Sequence, residues 1–268
     1  MKLETATVVS QEELYDDTYL MWLSCPPVAR GAAPGRFLMI HCSDALDPLL
    51  PRPMSFHRFR KAPTDTSHPA PDTSDWQFAI LYDIRGRGTT WLSRRKAGDT
   101  LACFGPLGHG YEVDATTNNL LLVAGGLGVA AVVSLADEAI AGGKSVTLLQ
   151  GARTAAKLFP PRHLPPEVES ISATDDGSEG HAGRVTELLA QHMPWADQVF
   201  ACGPNPMFEA MAKVVRDARS RKSVQALLEE RMGCGTGVCY GCAVFTRKNG
   251  VRLVCKDGPR MELREVFG

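Results

Sequence analysis

Residues 119–153, NLLLVAGGLGVAAVVSLADEAIAGGKSVTLLQGAR, decide the fold of the middle of this chain. An apolar run is followed by a glycine-rich turn, a segment with helical periodicity and a second apolar run. This order is typical of two parallel strands joined by a helix. Further strands are predicted at 169–174 and 198–203, each followed by a helical segment. We therefore expect a doubly wound α/β domain over residues 114–222.

The N-terminal part, residues 1–113, has a different pattern. Short apolar segments alternate with turn residues, which is typical of antiparallel strands. The sequence predicts an antiparallel β-barrel in this part of the chain. Residues 61–75, KAPTDTSHPAPDTSD, hold too few apolar side chains to pack against a core, so we expect a long solvated hairpin loop.

A third region, residues 223–268, carries four cysteines within the run CGTGVCYGCAVFTRKNGVRLVC that begins at residue 234. The first three have the C-x4-C-x2-C spacing of plant-type ferredoxins, and a fourth follows at a distance. The intervening glycines permit tight turns and let backbone N–H groups face inorganic sulfides. The pattern indicates a small module with a 2Fe-2S cluster. Its candidate ligands are Cys234, Cys239, Cys242 and Cys255. Structural zinc is the alternative. It usually takes its four thiolates from two short C-x2-C pairs, whereas this run contains a single such pair, Cys239 and Cys242.

The glycine-rich turn of the α/β domain is a candidate nucleotide site. Gly125, Gly126 and Gly128 separate the first strand from the helix, and with Ala131 the last two satisfy G-x-G-x-x-A. A helix that begins there would present its N-terminus to a pyrophosphate. Small residues also occur at such turns only to pack strand against helix, and this alternative stays open.

Two later strand ends carry further candidates. Asp175 follows the strand at 169–174, where a carboxylate can accept hydrogen bonds from ribose hydroxyls and would repel a 2′-phosphate, which favours NADH over NADPH. An ordinary Asp-Gly surface turn is the alternative. Cys202 and Gly203 close the strand at 198–203, at the edge where open α/β sheets bind ligands, and suit a nicotinamide contact. The alternative for the cysteine is a core position.

Two motifs in the N-terminal part suit a flavin nucleotide. In R-P-M-S, the arginine can pair with a phosphate and the serine hydroxyl can bond flavin or pyrophosphate. In L-Y-D, backbone groups can face the flavin ring and the tyrosine can pack on it, while the following G-x-G-T can meet the pyrophosphate. A surface arginine and an ordinary strand and turn are the alternatives. The candidate contacts are Arg52, Pro53, Met54, Ser55, Leu81, Tyr82, Asp83, Gly88 and Thr89.

Composition argues against several classes of function. The 268 residues are 44% hydrophobic and carry a net charge of −1, without a basic patch for nucleic acid. No apolar run approaches the ~18 residues of a membrane span, and the acidic N-terminus does not read as a signal peptide. We expect a cytoplasmic protein without nucleic-acid or membrane partners. In that compartment the eight cysteines do not suggest a disulfide framework.

These motifs, in this order, resemble the electron-transfer subunits of class 1B dihydroorotate dehydrogenases, within the ferredoxin reductase family. The resemblance covers nearly the whole chain through R-P-M-S, I-L-Y-D-I, L-V-A-G-G-L-G-V, T-D-D-G-S, A-C-G-P, the cysteine run and V-C-K-D-G-P. It implies FAD in the barrel, NAD in the α/β domain and a 2Fe-2S cluster in the C-terminal module. Two departures are Ala130 and Ala131, which replace the family's usual proline after the glycine turn, and the loop at 61–75, which is longer than usual.

The resemblance also implies a partner. A separate FMN-containing catalytic subunit would oxidise dihydroorotate, and electrons would pass through the cluster and FAD of this chain to NAD⁺ in pyrimidine biosynthesis. Two copies of each chain would form a heterotetramer. The same layout also resembles the small FAD/2Fe-2S subunit of a ferredoxin:NADP reductase, sulfide dehydrogenase or hydrogenase complex. A non-enzymatic, zinc-stabilised binding module is the alternative from another class.

Overall fold

The computed structural model describes residues 3–15, 17–43, 45–61 and 76–268. The strands are β1 (Glu4–Tyr15), β2 (Thr18–Ser24), β3 (Phe37–Ile40), β4 (Arg52–Ser55), β5 (Arg58–Lys61), β6 (Trp76–Asp83), β7 (Thr100–Leu107), β8 (Asn119–Gly125), β9 (Ser145–Ala152), β10 (Glu169–Thr174), β11 (His181–Ala182), β12 (Gln198–Cys202), β13 (Val224–Leu227), β14 (Ala243–Phe245), β15 (Val251–Leu253) and β16 (Arg260–Glu262). The helices are α1 (Pro26–Ala29), α2 (Arg87–Ser93), α3 (Val129–Ala141), α4 (Leu189–His192), α5 (Asn205–Asp217), α6 (Val254–Asp257) and α7 (Leu263–Val266). Short 3-10 turns lie at Gly126–Gly128, Ala155–Lys157, Pro161–His163 and Val185–Glu187.

The N-terminal strands form one antiparallel sheet in the order β4-β3-β7-β1-β2-β6-β5. One face of this sheet encloses an apolar core that includes Met21, Leu38, Phe56 and Phe78. The antiparallel all-β prediction is confirmed. No pairing joins the end strands β4 and β5 within the described ranges, so closure into a barrel stays a prediction.

The second sheet has the order β11-β10-β9-β8-β12-β13-β16 and is parallel except at β16. It forms because β8, β9 and β12 are continuous apolar runs, and α3 is buried along most of its length against them. The chain moves outward from β8 to β11 and then returns to β12 on the other side of β8. This reversal creates a topological switch point between β8 and β12, where open α/β sheets bind ligands.

The C-terminal region contributes to this sheet as well as to a separate hairpin. β13 pairs with β12 in parallel, and β16 pairs with β13, so the sheet extends past the boundary predicted at residue 222. β14 and β15 form the two-stranded hairpin that carries the cysteine segment. Apolar residues of this region share one core with the α/β sheet and with Phe37, Met39 and Leu107 of the antiparallel sheet. The cysteine segment is therefore fixed against both larger parts.

Residues 62–75, most of the segment predicted as a solvated loop, lie outside the described residues. The strands on either side of the segment, β5 and β6, pair antiparallel as far as Lys61 and Trp76. Within the described ranges, no helix combines the length and the apolarity that crossing a membrane requires.

Candidate functional site

The glycine turn lies at the switch point and is packed very closely. A Cβ atom on Gly128 would lie 2.0 Å from the carbonyl oxygen of Cys202, and one on Gly125 would lie 2.7 Å from Sδ of Met207. Gly126 has a φ of +54° and no atom within 4 Å of a Cβ position. Glycine is thus required at 128 for contact between β8 and β12, and at 126 for a left-handed turn that leaves the backbone accessible. Close packing of strand against turn, one of the two uses of small residues considered from the sequence, is present, and the nucleotide role of the turn stays a prediction.

A cavity of about 580 Å³ opens over this turn, between the antiparallel sheet and the α/β sheet. Five residues predicted to bind a nucleotide line it: Asp83, Gly125, Gly126, Gly128 and Asp175. The cavity also receives residues that the sequence did not single out, notably Arg85, Arg153, Arg184 and Glu229. Its size and its glycine-lined wall suit an extended nucleotide.

The adenosine half of such a nucleotide would lie over β9, β10 and β11, whose loops carry Arg153, Asp175 and Arg184. Asp175 is exposed on the cavity wall, as a ribose contact requires. The neighbouring Asp176 does not line the cavity; its carboxylate accepts hydrogen bonds from the Ser178 hydroxyl at 2.6 Å and backbone N–H at 3.0 Å. The Ser178 hydroxyl in turn accepts one from the N–H of Ala155. The nucleotide role of Asp175 and the preference for NADH remain predictions.

Cys202 is not part of the cavity wall, which is a departure from the predicted nicotinamide contact. Its side chain is 1% exposed, and its Sγ lies 3.6 Å from Oε1 of Glu229. Glu229 lines the cavity between the two sheets, and its side chain is exposed there. The thiol therefore lies behind the carboxylate, and Glu229 is the side chain that a ligand would meet. Gly203 packs against Gly125 and Met207 instead of lining the cavity.

Desolvation of the carboxylate in the cleft raises the pKa of Glu229 above its ordinary value of 4.5, and this effect outweighs the hydrogen bond from Cys202 and the charge of Arg85, which both lower it. Burial likewise raises the pKa of the Cys202 thiol, which stays protonated. A carboxyl group with a raised pKa in a cleft is a frequent mark of a functional site. Sequence inspection missed Glu229 because two glutamates after a short strand form no motif.

Replacing Glu229 by Gln is expected to make the stability of the chain less dependent on pH. The folded protein holds the Glu229 proton to higher pH than the unfolded chain does, so wild-type stability falls as the pH rises above 4.5. Glutamine cannot ionise and removes this loss. Urea unfolding from pH 4 to 8 should give equal stability for both proteins at the acidic end and a more stable variant at the alkaline end. Glu230→Gln, outside the cavity, is the control; an equal change in both variants would contradict this account.

Arg52 of the R-P-M-S motif packs on the G-x-G-T loop, as a shared phosphate site would require. A Cβ on Gly88 would lie 2.9 Å from Nε of Arg52, so the guanidinium lies directly over the glycine backbone. Nη1 of Arg52 donates a hydrogen bond to the carbonyl of Leu50 at 2.5 Å. Thr89 has a local role, since its hydroxyl accepts hydrogen bonds from the N–H groups of Arg85 and Gly86. The Thr89 hydroxyl, which we predicted to bind the pyrophosphate, is therefore already engaged within the loop.

Tyr82 cannot pack on a flavin through its ring, because the side chain faces the interior of the antiparallel sheet. It is 2% exposed, its hydroxyl donates to Oε1 of Gln11 at 2.6 Å, and its ring stacks on Tyr19 at 5.9 Å between centroids. Its backbone remains the only part that could serve the predicted contact. Leu81 and Met54 are buried as well, while Pro53 and Ser55 of β4 are half-buried.

Backbone N–H groups donate to all four predicted cluster thiols. Gly237 donates to Sγ of Cys255 at 3.1 Å, Thr236 and Cys239 donate to Cys234 at 3.4 and 3.5 Å, Gly241 donates to Cys239 at 3.5 Å, and Cys255 donates to Cys242 at 3.4 Å. Left-handed backbone at Gly235 and Gly237 makes this curvature possible. Although burial raises the pKa of the Cys234 thiol, hydrogen bonds from Thr236 and Cys239 lower it to about 5. The donor set is that of a thiolate-bound, negatively charged centre.

This arrangement fits a 2Fe-2S cluster in the chemistry of its donors. Within the described ranges no three His, Cys, Asp or Glu side chains converge on a position for a single metal ion. The ligand spacing and the five N–H donors indicate the cluster. Such N–H groups stabilise the added negative charge of a reduced cluster.

Comparisons with known proteins agree with these features. Residues 229–267 match the family model for the iron-sulfur cluster binding domain of dihydroorotate dehydrogenase B. The dihydroorotate dehydrogenase B (NAD(+)) electron transfer subunit of Geobacillus thermodenitrificans is 38% identical over 268 residues, covering 98% of each chain. The protein of the same name from Desulforamulus reducens is 34% identical, covering 96% of this chain and 95% of its own.

The fold also resembles solved structures. A chain of the NADH-dependent reduced ferredoxin-NADP oxidoreductase superposes with a TM-score of 0.79 and 26% identity, covering 99% of this chain and 90% of that one. The ferredoxin reductase of carbazole 1,9a-dioxygenase superposes with a TM-score of 0.64 at 24% identity, covering 82% of this chain and 66% of that one, which supports the fold alone. With full-length relatives at this level of identity, the chain belongs to the family of dihydroorotate dehydrogenase B (NAD⁺) electron transfer subunits.

Proposed function

We propose that this chain carries electrons from an FMN-containing dihydroorotate dehydrogenase subunit, through its 2Fe-2S cluster and FAD, to NAD⁺ in pyrimidine biosynthesis. The observation that carries the proposal is where the cysteine segment lies. A Cβ on Gly235, next to Cys234, would lie 2.8 Å from Cγ of Met39 in β3, and Met39 pairs with Pro53 of the R-P-M-S strand. The cysteine segment thus packs, through Gly235, against the strand next to the candidate flavin site.

FAD, when bound, exchanges two electrons with a nicotinamide and single electrons with an iron-sulfur centre. Arg52 and the backbone at Gly88 would hold its pyrophosphate, and the backbone of β4 and β6 would face its ring. The glycine turn and Asp175 would hold NAD(H) in the cavity. The nucleotide cavity lies where the antiparallel sheet faces the carboxyl ends of β8, β12 and β13, and Cys242 and Cys255 share a core with residues of both sheets.

Replacing Arg52 by Ala is expected to weaken FAD binding about tenfold to a hundredfold, because a charge-assisted phosphate contact contributes roughly 1.5–3 kcal/mol. The measurement is the FAD-to-protein ratio after gel filtration, followed by titration of the flavin-free protein. Arg60→Ala is the control, since Arg60 binds Gln77 and stacks on Trp22, away from the R-P-M-S strand. Unchanged affinity in the Arg52 variant would remove this residue from the flavin site.

An apolar surface beside the cysteine segment is the proposed docking surface for the catalytic partner subunit. Leu50 lies about 4.0 Å from the Cβ position of Gly233, which precedes the first cluster ligand. Exposed apolar groups of this size are typical of protein interfaces, and docking there would bring the partner close to the cluster. Two copies of each chain would then form the complex. We assign to this surface the apolar side chains of residues 46–50 and of the cysteine segment that are more than half exposed, Leu46, Leu49, Leu50, Val238, Tyr240 and Phe245.

The proposal is tested on the anaerobically purified chain by titration with NADH and with NADPH. We expect NADH to bleach the flavin and to produce the EPR signal of a reduced 2Fe-2S cluster. A preference for NADPH would favour the small subunit of a ferredoxin:NADP reductase-type complex. A colourless protein that contains zinc would contradict the electron-transfer role.

A further inference from the structure

Arg85 is a cation that the antiparallel sheet presents to the nucleotide cavity. It follows β6, and its side chain is 75% exposed on the cavity wall. Nη2 of Arg85 donates to Oδ2 of Asp83 at 2.7 Å, and the Thr18 hydroxyl donates to Oδ1 of the same carboxylate at 2.8 Å. Asp83 is 13% exposed, so a largely buried and hydrogen-bonded anion holds the guanidinium in place. Asp83 is also the only hydrogen-bond partner of that guanidinium among the described residues.

The same cavity is lined by the glycine turn at the start of α3, a helix of 13 residues. The first N–H groups of a helix lack partners within it and favour a negatively charged ligand. Glycine backbone therefore forms one wall of the cavity, and a fixed guanidinium with unused donors lies on another. A pyrophosphate, with its spread of anionic oxygens, suits both sides at once.

The position of Arg85 along the cavity separates it from the other cations. Arg153, Lys157 and Arg184 belong to loops after β9 and β11, on the adenosine half of the sheet. Arg85 instead lies within electrostatic reach of Glu229, which follows β13 on the opposite half. The pyrophosphate of a dinucleotide extended across the switch point lies between these halves, with its nicotinamide-side phosphate on the side of Arg85.

We propose that Arg85, positioned by Asp83 and Thr18, binds the nicotinamide-side phosphate of NAD(H). This inference rests on the proposed function, because it assumes that the cavity binds NAD(H). The backbone N–H of Arg85 also donates to the Thr89 hydroxyl at 2.8 Å. One short segment, residues 83–89, therefore joins the candidate FAD loop to the dinucleotide cavity. In this proposal the carboxylate of Asp83 positions Arg85, and its backbone stays available for the predicted contact with flavin.

The test compares Arg85→Ala with wild type in the full chain loaded with FAD and cluster. Calorimetry with NAD⁺, ADP-ribose and 5′-AMP measures three dissociation constants. We expect those for NAD⁺ and ADP-ribose to rise about tenfold to a hundredfold, and that for 5′-AMP to stay unchanged. Thr18→Val, which removes the hydrogen bond to Asp83, should give a smaller rise for the same two ligands.

Arg87→Ala is the matched control. Arg87 is two residues further along and 76% exposed, but its ion pair is with Asp47 and it does not line the cavity. Its NAD⁺ affinity should equal that of wild type. The inference is contradicted if Arg85→Ala binds ADP-ribose as tightly as wild type does, or if it loses FAD in place of NAD⁺ affinity. Wild type that fails to bind NAD⁺ would instead contradict the proposed function, and this inference with it.

Discussion

Replacing Cys255 by Ala should abolish the 2Fe-2S cluster. The side chain is 2% exposed and accepts the shortest of the five N–H hydrogen bonds in the cysteine segment, from Gly237 at 3.1 Å. Water has little access to replace the missing thiolate at such a buried position. Because each iron takes two cysteine thiolates, loss of one leaves an iron three-coordinate. Iron and sulfide should fall from about two of each per chain to near zero, and the EPR signal after reduction should disappear.

Cys42→Ala is the matched control for this loss. Cys42 is likewise fully buried, but it lies in the core of the antiparallel sheet, and burial raises the pKa of its thiol to about 12. The control should keep its iron and its EPR signal while losing some stability from the smaller side chain. Full iron content in the Cys255 variant, or equal loss of iron in both, would contradict the assigned ligand set.

Replacing Gly128 by Ala should destabilise the α/β domain by about 3 kcal/mol, because the added methyl group collides with backbone. Its nearest neighbours would be the carbonyl oxygen and carbon of Cys202, at 2.0 and 2.4 Å, and the nitrogen of Gly203 at 2.9 Å. Unlike a flexible side chain, these atoms move only if β12 shifts away from the turn. Such a shift also deforms the switch point, so NAD⁺ affinity should fall together with stability.

Gly126→Ala supplies the comparison for this prediction. It meets no atom within 4 Å, and its cost should be limited to that of a left-handed backbone, about 1 kcal/mol. Urea unfolding of both variants measures the difference. Equal destabilisation by the two substitutions would mean that close packing of β8 on β12 is not the reason for glycine at position 128.

The glycine turn, the cysteine ligands and the two kinds of sheet could be predicted from short stretches of sequence. Gly125, Gly126 and Gly128 could be placed at a strand-to-helix turn because the period of apolar residues changes on either side of them. The ligands of the cluster could likewise be predicted from the cysteine spacing, since three of the four thiols lie within nine residues. The antiparallel and parallel sheets follow from the same kind of evidence.

The direction of the Tyr82 side chain, the position of Glu229 and the extent of the α/β sheet depend on packing between segments that are distant in the sequence. Six consecutive residues of β6 are buried, so no alternation indicates which way Tyr82 faces. Glu229 reaches the cavity only because β13 lies next to β12, and nothing in its local sequence encodes that neighbour. The boundary predicted at residue 222 follows the last helical segment of the strand–helix alternation, whereas β13 and β16 continue the α/β sheet beyond it.

The most direct test of electron transfer through this chain uses the complex with its FMN-containing catalytic partner. Under anaerobic conditions, dihydroorotate is added with NAD⁺, and NADH formation is followed beside the EPR signal of the cluster. We expect the wild-type complex to reduce the cluster and form NADH, and the Cys255→Ala complex to reduce its FMN without forming NADH. NADH formation at the wild-type rate by the variant complex, or by the partner subunit alone, would contradict the account.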